Sequence, residues 1–189
     1  MVTKQTKFII AIAVQLVIIF SIIVFKVATL TGGADVLLPI EPVDPRDPFR
    51  GDYLTFQYRI SNVDAYLFDY SPIKNGDTVY VPLEQQGKYW EAVEGIQKTK
   101  PVDTEQIFIK GKIASGGLEG EMLPFETPTP GFGWGNQVHI VYGVEEYFIP
   151  EGVGQDFNFW SREAAAKVSI DKNGSAVLKQ IYIDNKPWP

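Results

Sequence analysis

Cysteine is absent from the 189 residues, which excludes disulfide staples, thiol nucleophiles and thiolate metal sites together. Histidine occurs once, at His139. A His-pair zinc site is therefore excluded, and a Ser-His-acid triad would have to be built on that one imidazole. His139 alternates with Val138 and Ile140, which reads as an exposed or hydrogen-bonded side chain on the polar face of a strand. Basic charge is also scarce. The segment through Ala34 holds Lys4, Lys7 and Lys26 and no acid, so the 17 basic residues less these three leave 14 against 23 acidic ones, about −9 for residues 35–189. That balance argues against nucleic acid, and against an anionic lipid surface, as the main partner. Internal repeats, heptads and low-complexity tracts are missing too.

One long apolar run is present. Phe8 to Phe25 reads FIIAIAVQLVIIFSIIVF, broken only by Gln15 and Ser21, and at about 1.5 Å per residue it covers most of a hydrocarbon core. Lys4 and Lys7 ahead of the run favour retention of the N-terminus in the cytoplasm. Gly32-Gly33-Ala34 offers small residues to a signal peptidase, but the run is longer than a signal core and Lys26 intervenes, which favours an uncleaved anchor. The expected organisation is a cytoplasmic N-terminus over 1–7, a signal-anchor helix over 8–30, a short linker over 31–34 and one extracytoplasmic domain over 35–189. About 155 residues suffice for one domain with its own core.

Alternation of period two recurs through that domain. Leu54, Phe56, Tyr58 and Ile60 share one face while Thr55, Gln57 and Arg59 take the other. The same pattern selects Val79, Val81 and Leu83; Ile107, Ile109 and Ile113; Val138, Ile140, Tyr142 and Val144; and Val177 with Ile181 and Ile183. Pro82 suggests an edge strand. Asp171-Lys172-Asn173-Gly174 between two such runs is hairpin chemistry, as is Gln85-Gln86-Gly87-Lys88. Asn173-Gly174-Ser175 also has the form of a glycosylation sequon, which turn chemistry explains better. The propensity of Ser161 to Ala166 predicts a short helix within Gly154 to Lys167. The Gly/Pro-rich stretch from Ala114 to Gly135 reads as an irregular excursion. The fold class is mainly β: an N-terminal transmembrane helix and one antiparallel β-rich domain with a short helix.

The densest polar stretch is Glu41 to Tyr53, EPVDPRDPFRGDY. Its three prolines stiffen it, and Arg46 and Arg50 can pair with Asp44, Asp47 or Asp52. It is a rigid turn or a recognition patch. Arg50-Gly51-Asp52 spells an integrin-type triplet, but it abuts a buried strand and carries no weight. Gly51-Asp52-Tyr53-Leu54-Thr55-Phe56-Gln57-Tyr58 resembles the motif that names the GDYXXLXY family of bacterial membrane-anchored proteins, with Phe56 where the name has Leu. Pro42 to Arg46, Arg50 and the later stretch Tyr142 to Gly152 also look like signatures of that family. The resemblance implies an anchored β-rich exterior and an integral membrane partner, with no established activity; no cofactor is expected.

Glu145, Glu146 and Glu151 in the second stretch could join Asp44, Asp47 and Asp52 if the strands are neighbours. Paired carboxylates can do acid–base chemistry or hold a hard cation, yet the spacing lacks a calcium-loop pattern and surface salt bridges are the plainer reading. A signal-peptidase-like enzyme would need a nucleophilic serine ahead of Gly51, and Leu37 to Gly51 contains none. The candidate patch is Asp44, Arg46, Asp47, Arg50, Asp52, Tyr53, Glu145, Glu146 and Glu151, and the motif positions are Gly51, Asp52, Tyr53, Phe56 and Tyr58. The leading expectation is a non-enzymatic accessory or interaction protein of the cell membrane. The alternatives are an envelope hydrolase or lyase using those carboxylates, and a ligand-binding module using Phe132 and Trp134.

Overall fold

The structure is a computed structural model and describes residues 3–42, 53–69, 72–102, 105–116, 137–148 and 162–188. It opens with one long helix, α1 (Lys4–Gly32), capped at its start by the Thr3 hydroxyl, which accepts from the Thr6 N–H. At 29 residues it is about 43 Å long. It is long and apolar enough to cross a membrane, and none of its apolar window is buried against the rest of the chain. A helix that is apolar all round and is left uncovered by the other described residues could serve as a membrane anchor.

Antiparallel sheet makes up most of the other described residues. The first sheet runs in the order β11 (Lys186–Trp188), β10 (Ala176–Ile183), β9 (Ala164–Ile170), β1 (Ala34–Pro42), β2 (Tyr53–Tyr58) and β8 (Glu146–Phe148). The second runs β3 (Asn62–Asp64), β7 (Gln137–Val141), β6 (Phe108–Ser115), β4 (Thr78–Gln86) and β5 (Tyr89–Ala92). The inward faces of both sheets merge in one core containing Val36, Leu38, Phe56 and Tyr58 from the first and Val79, Val81, Ile109, Val138 and Ile140 from the second. Each such side chain contributes about 1.5–3 kcal/mol by leaving water. The chain passes from the first sheet to the second through the 3-10 turn at Arg59–Ser61, between β2 and β3, and returns to the first between β7 and β8.

The alternation was a sound guide to most inward faces, and the exceptions have local causes. Val177 does not share a face with Ile181 and Ile183, because the register with β9 shifts between Leu178 and Gln180. That bulge moves the inward set from Ala176 and Leu178 to Ile181 and Ile183. Pro82 is not on an edge strand: β4 lies between β6 and β5, and Pro82 stands where pairing with β6 ends and pairing with β5 begins at Leu83. Pro39 marks the same kind of change in β1, from β9 to β2. A residue without an N–H disturbs the ladders least at such places. The helix expected within Gly154 to Lys167 does not reach its C-terminal part, where Ala164 to Lys167 open β9; residues 154–161 lie outside those described. Ala164, Ala165 and Ala166 are buried in a strand paired on both sides, and that pairing overrides alanine's helical propensity. Short 3-10 turns occur at Arg59–Ser61 and Ala65–Leu67.

The linker expected over 31–34 shrinks to one residue. α1 ends at Gly32, β1 starts at Ala34, and Gly33 alone joins them. Its N–H donates to the Thr29 carbonyl at 3.0 Å, and that carbonyl also accepts from the Ser169 hydroxyl at 2.8 Å. Thr29 Oγ1 reaches Asp171 Oδ2 at 3.2 Å. Thr29 is 6% exposed and Ser169 0%, so the end of the helix is seated on the start of the β9–β10 hairpin. The fit needs glycine, since a Cβ on Gly33 would lie 2.6 Å from Ser169 Oγ and 2.7 Å from the Thr29 oxygen, whereas one on Gly32 would meet nothing within 4 Å. Gly33→Ala is expected to lower stability by about 1–3 kcal/mol, and Gly32→Ala to leave it unchanged or slightly raised. Thermal unfolding of the detergent-solubilised chain compares them; equal midpoints would contradict the close approach.

Candidate functional site

Two features gather polar groups around aromatic side chains. The first is a clasp between β2 and the segment that follows β7. Strand β2 pairs with β8 in the register Tyr53 with Phe148, Leu54 with Tyr147 and Thr55 with Glu146. The Phe56 N–H donates to the Glu145 carbonyl at 3.1 Å. Tyr58, on the buried face of β2, donates its hydroxyl to the Val144 carbonyl at 2.7 Å. Tyr142 returns the arrangement, donating to the Ile60 carbonyl at 2.6 Å. The rings of Tyr58 and Tyr142 meet edge-on at 6.1 Å, and those of Phe56 and Tyr58 at 5.3 Å. Each phenol thus satisfies its hydroxyl inside the core; the Tyr58 bond joins chain on opposite sides of the Arg59–Ser61 crossover, and the Tyr142 bond ends on the crossover itself.

Glu145 closes the turn beneath this pair, its carboxylate accepting from the Tyr142 N–H. Burial, reinforced by the nearby Glu145 charge, pushes the Tyr58 and Tyr142 phenols well above their ordinary range. Both stay protonated donors at neutral pH. Glu145 is therefore engaged as a structural cap.

The second feature is a groove of about 420 Å³ under the β4–β5 hairpin, on the face of the first sheet turned away from the core. Leu37, Ala165 and Tyr182 form part of its lining, with Trp90 from β5. Lys88 at the hairpin tip reaches across to Glu163 at 2.8 Å and to Asn185 Oδ1 at 3.0 Å, and the Tyr89 hydroxyl donates to Glu163 at 2.6 Å. Within the lining, Asp35 is held between Lys167 at 2.9 Å and Lys179. The bonds to Lys88 and then Tyr89 lower the Glu163 carboxyl, and Lys179 and Lys167 lower that of Asp35, so both remain ionised through mild acid. The groove offers an apolar floor ringed by paired charges.

A family model described as "GDYXXLXY protein" matches residues 15–181, most of the chain. The chain belongs to the GDYXXLXY family. No curated protein and no solved structure is significantly similar to it.

In this GDYXXLXY protein the last two named positions of the motif are the core residues of the clasp, Phe56 and Tyr58, at 1% and 0% exposure. Phenylalanine at the leucine position keeps the buried apolar role and adds the ring contact to Tyr58. The two family-like stretches are neighbours, as β2 and β8. Of the candidate patch, Asp44, Arg46, Asp47, Arg50, Asp52 and Glu151 lie outside the described residues, as do Gly51, Phe132 and Trp134. Tyr53 is placed by its backbone pairing with Phe148, and Glu146 sits exposed opposite Thr55. Among the described residues no three His, Asp or Glu side chains are placed to hold a metal ion. His139 bonds Asn62 Oδ1 at 2.8 Å across β7 and β3, as a hydrogen-bonded strand histidine should.

The groove escaped the sequence reading because its members come from β1, the β4–β5 hairpin, β9 and β10. The one available signal was a strand whose outward positions, Asp35 and Leu37, combined a charge with an apolar side chain. For the clasp, Tyr58→Phe and Tyr142→Phe are each expected to cost about 1 kcal/mol. The folded-state pKa of each phenol is raised, so its contribution is complete below the unfolded value of about 10 and is lost as pH rises above it. Each variant should therefore weaken the fall in stability above that pH, read by denaturant unfolding at stepped alkaline pH; an unchanged slope would contradict burial of the protonated phenol.

Proposed function

We propose that the chain is a single-pass membrane protein, anchored by α1 with its N-terminus in the cytoplasm, and that its β domain works outside the cytoplasm as an accessory subunit of an integral membrane partner. The observation that carries this is the junction at Thr29, Gly33, Ser169 and Asp171. A flexible tether would let a domain sample a wide volume, whereas a one-residue link with a hydrogen-bonded seat fixes its height and tilt relative to the helix. Such rigidity is of use where the domain must meet another body in the same bilayer. The junction also favours retention of the anchor, because cleavage at Gly32-Gly33-Ala34 would remove the carbonyl that accepts from the fully buried Ser169.

Lys4 and Lys7 on the N-terminal side of α1 favour the cytoplasm for that end. A bacterial envelope setting comes from the family resemblance. A hydrolase or lyase built on the clustered carboxylates is less favoured, because Glu145, whose backbone carbonyl accepts from Phe56 of the motif, caps a turn with its carboxylate and its neighbours Tyr58 and Tyr142 are bonded to backbone. Extraction of native membranes in mild detergent should bring the chain out in a complex with an integral membrane protein. Recovery of the chain alone, at native expression and with neighbouring genes intact, would overturn the accessory reading.

The groove under the β4–β5 hairpin favours a second reading, a module that holds a small polar ligand with one apolar face. Trp90 partly buries its ring there, so ligand entry should change its emission. Monosaccharides and free amino acids added at millimolar concentration, with Trp90→Phe as the control, test it. A Trp90 signal unmoved by every compound rejects the reading.

A further inference from the structure

Lysines far apart in the sequence meet at one end of the domain. The centre is the β9–β10 turn. Its Asp171 carboxylate is bonded to the helix through Thr29 Oγ1 at 3.2 Å. Asn173 Oδ1 accepts from Lys100 Nζ at 2.7 Å, and the Gly174 carbonyl accepts from the Lys110 backbone N–H at 2.9 Å. Lys172 is exposed at the tip between them. Lys26 precedes Thr29 by three residues and so lies on a neighbouring face of α1, one turn toward the apolar run. Lys100 thus reaches this turn with its ammonium, Lys110 is bonded to it through its backbone, Lys172 belongs to it and Lys26 lies one helical turn from its Thr29 contact; none of the four forms an ion pair with a described residue. Asp171, the carboxylate of that turn, is occupied by the N–H groups of Asn173 at 2.8 Å and Ser175 at 2.9 Å as well as by Thr29.

Height decides what these lysines face. β1 leaves the helix and β9 runs back antiparallel to it, with Ala34 opposite Ile170, so the turn after Ile170 is the end of the domain nearest α1. Thr29 stands about 4.5 Å along the axis beyond Lys26. The polar region outside the hydrocarbon is about 5–8 Å deep in each leaflet. A turn seated at Thr29 is therefore level with lipid phosphates.

We propose that this lysine collar binds the phosphate groups of anionic phospholipids in the leaflet on which the domain rests. The inference depends on the anchoring reading above. It assigns a site that net charge conceals: residues 35–189 carry about −9, which repels an anionic surface as a whole, while the membrane-proximal end presents ammonium groups that attract it over a Debye length. The occupant is a phosphate held by several point charges, since lysine lacks the planar fork that would demand one geometry.

The absence of cysteine makes a site-specific probe simple. The full chain carrying Ser175→Cys with a bimane label is placed in phosphatidylcholine nanodiscs that contain, at one mole fraction, either phosphatidylglycerol or phosphatidylcholine bearing the same shallow nitroxide. The anionic quencher should quench at least about twofold more strongly. The preference should vanish in about 1 M salt and in the Lys100→Gln, Lys110→Gln, Lys172→Gln variant, and return when the three are arginine. The salt comparison on the otherwise unaltered chain stands even if the triple variant folds poorly. Equal quenching by both lipids in a carbonate-resistant chain overturns the collar alone. A chain that alkaline carbonate releases from membranes overturns the anchor and the collar with it.

Discussion

Two phenol hydroxyls enclosed in a dry core have to find carbonyl partners, and the partners they find hold the domain together. Tyr58 donates to Val144 and Tyr142 donates to Ile60. Because Ile60 lies in the crossover from the first sheet to the second, and Val144 lies between β7 of the second and β8 of the first, each bond spans the place where the chain changes sheet. Leaving either hydroxyl unpaired would cost more than the bond itself contributes. The edge-on contact between the two rings packs the bonds against one another. The family motif can then be understood as a packing device: its terminal apolar and tyrosine positions supply the buried half of this clasp, and the second family-like stretch supplies the other.

From the clasp outward, the remaining geometry follows a short path. β2 is fixed against β1, and β1 against β9, whose last residues receive the end of α1. The anchor, the hairpin turn and the core are therefore continuous through hydrogen-bonded strands. The turn of the β9–β10 hairpin stands at the helix end of the domain, and the tip of the β4–β5 hairpin reaches Glu163 and Asn185 at the far end of the same two strands. The charges divide along the same axis, with the lysines of the turn next to the helix and the Lys88–Glu163 strap over the groove.

Much of the architecture was legible in the residues. The alternation of Phe56, Tyr58 and Ile60, of Val79, Val81 and Leu83, and of Val138, Ile140 and Tyr142 named inward faces correctly, because a half-buried strand repeats every two residues whatever its neighbours are. Asn173-Gly174 marked its turn, since Gly174 adopts φ +79° there and a Cβ would crowd the Lys110 nitrogen at 3.0 Å. Local patterns failed where the neighbours decided. Ala164 to Lys167 favour a helix in isolation and become strand between β1 and β10, and the bulge near Leu178 reverses a face that periodicity carried straight on. The candidate patch was drawn from charge density in the chain, which says nothing about which carboxylate turns inward to cap a backbone, as Glu145 does.

The sequence by itself determined the long apolar helix, the β-rich class and membership of the family, because composition, periodicity and a contiguous motif are properties of neighbouring residues. Only the tertiary structure decided that the helix joins the domain through one glycine, that Tyr58 and Tyr142 exchange hydroxyls with each other's loops, and that lysines at 26, 100, 110 and 172 share one end. Those arrangements depend on which strands lie side by side, and pairing between distant segments is set by the burial and hydrogen-bond satisfaction of the whole core rather than by any segment of it.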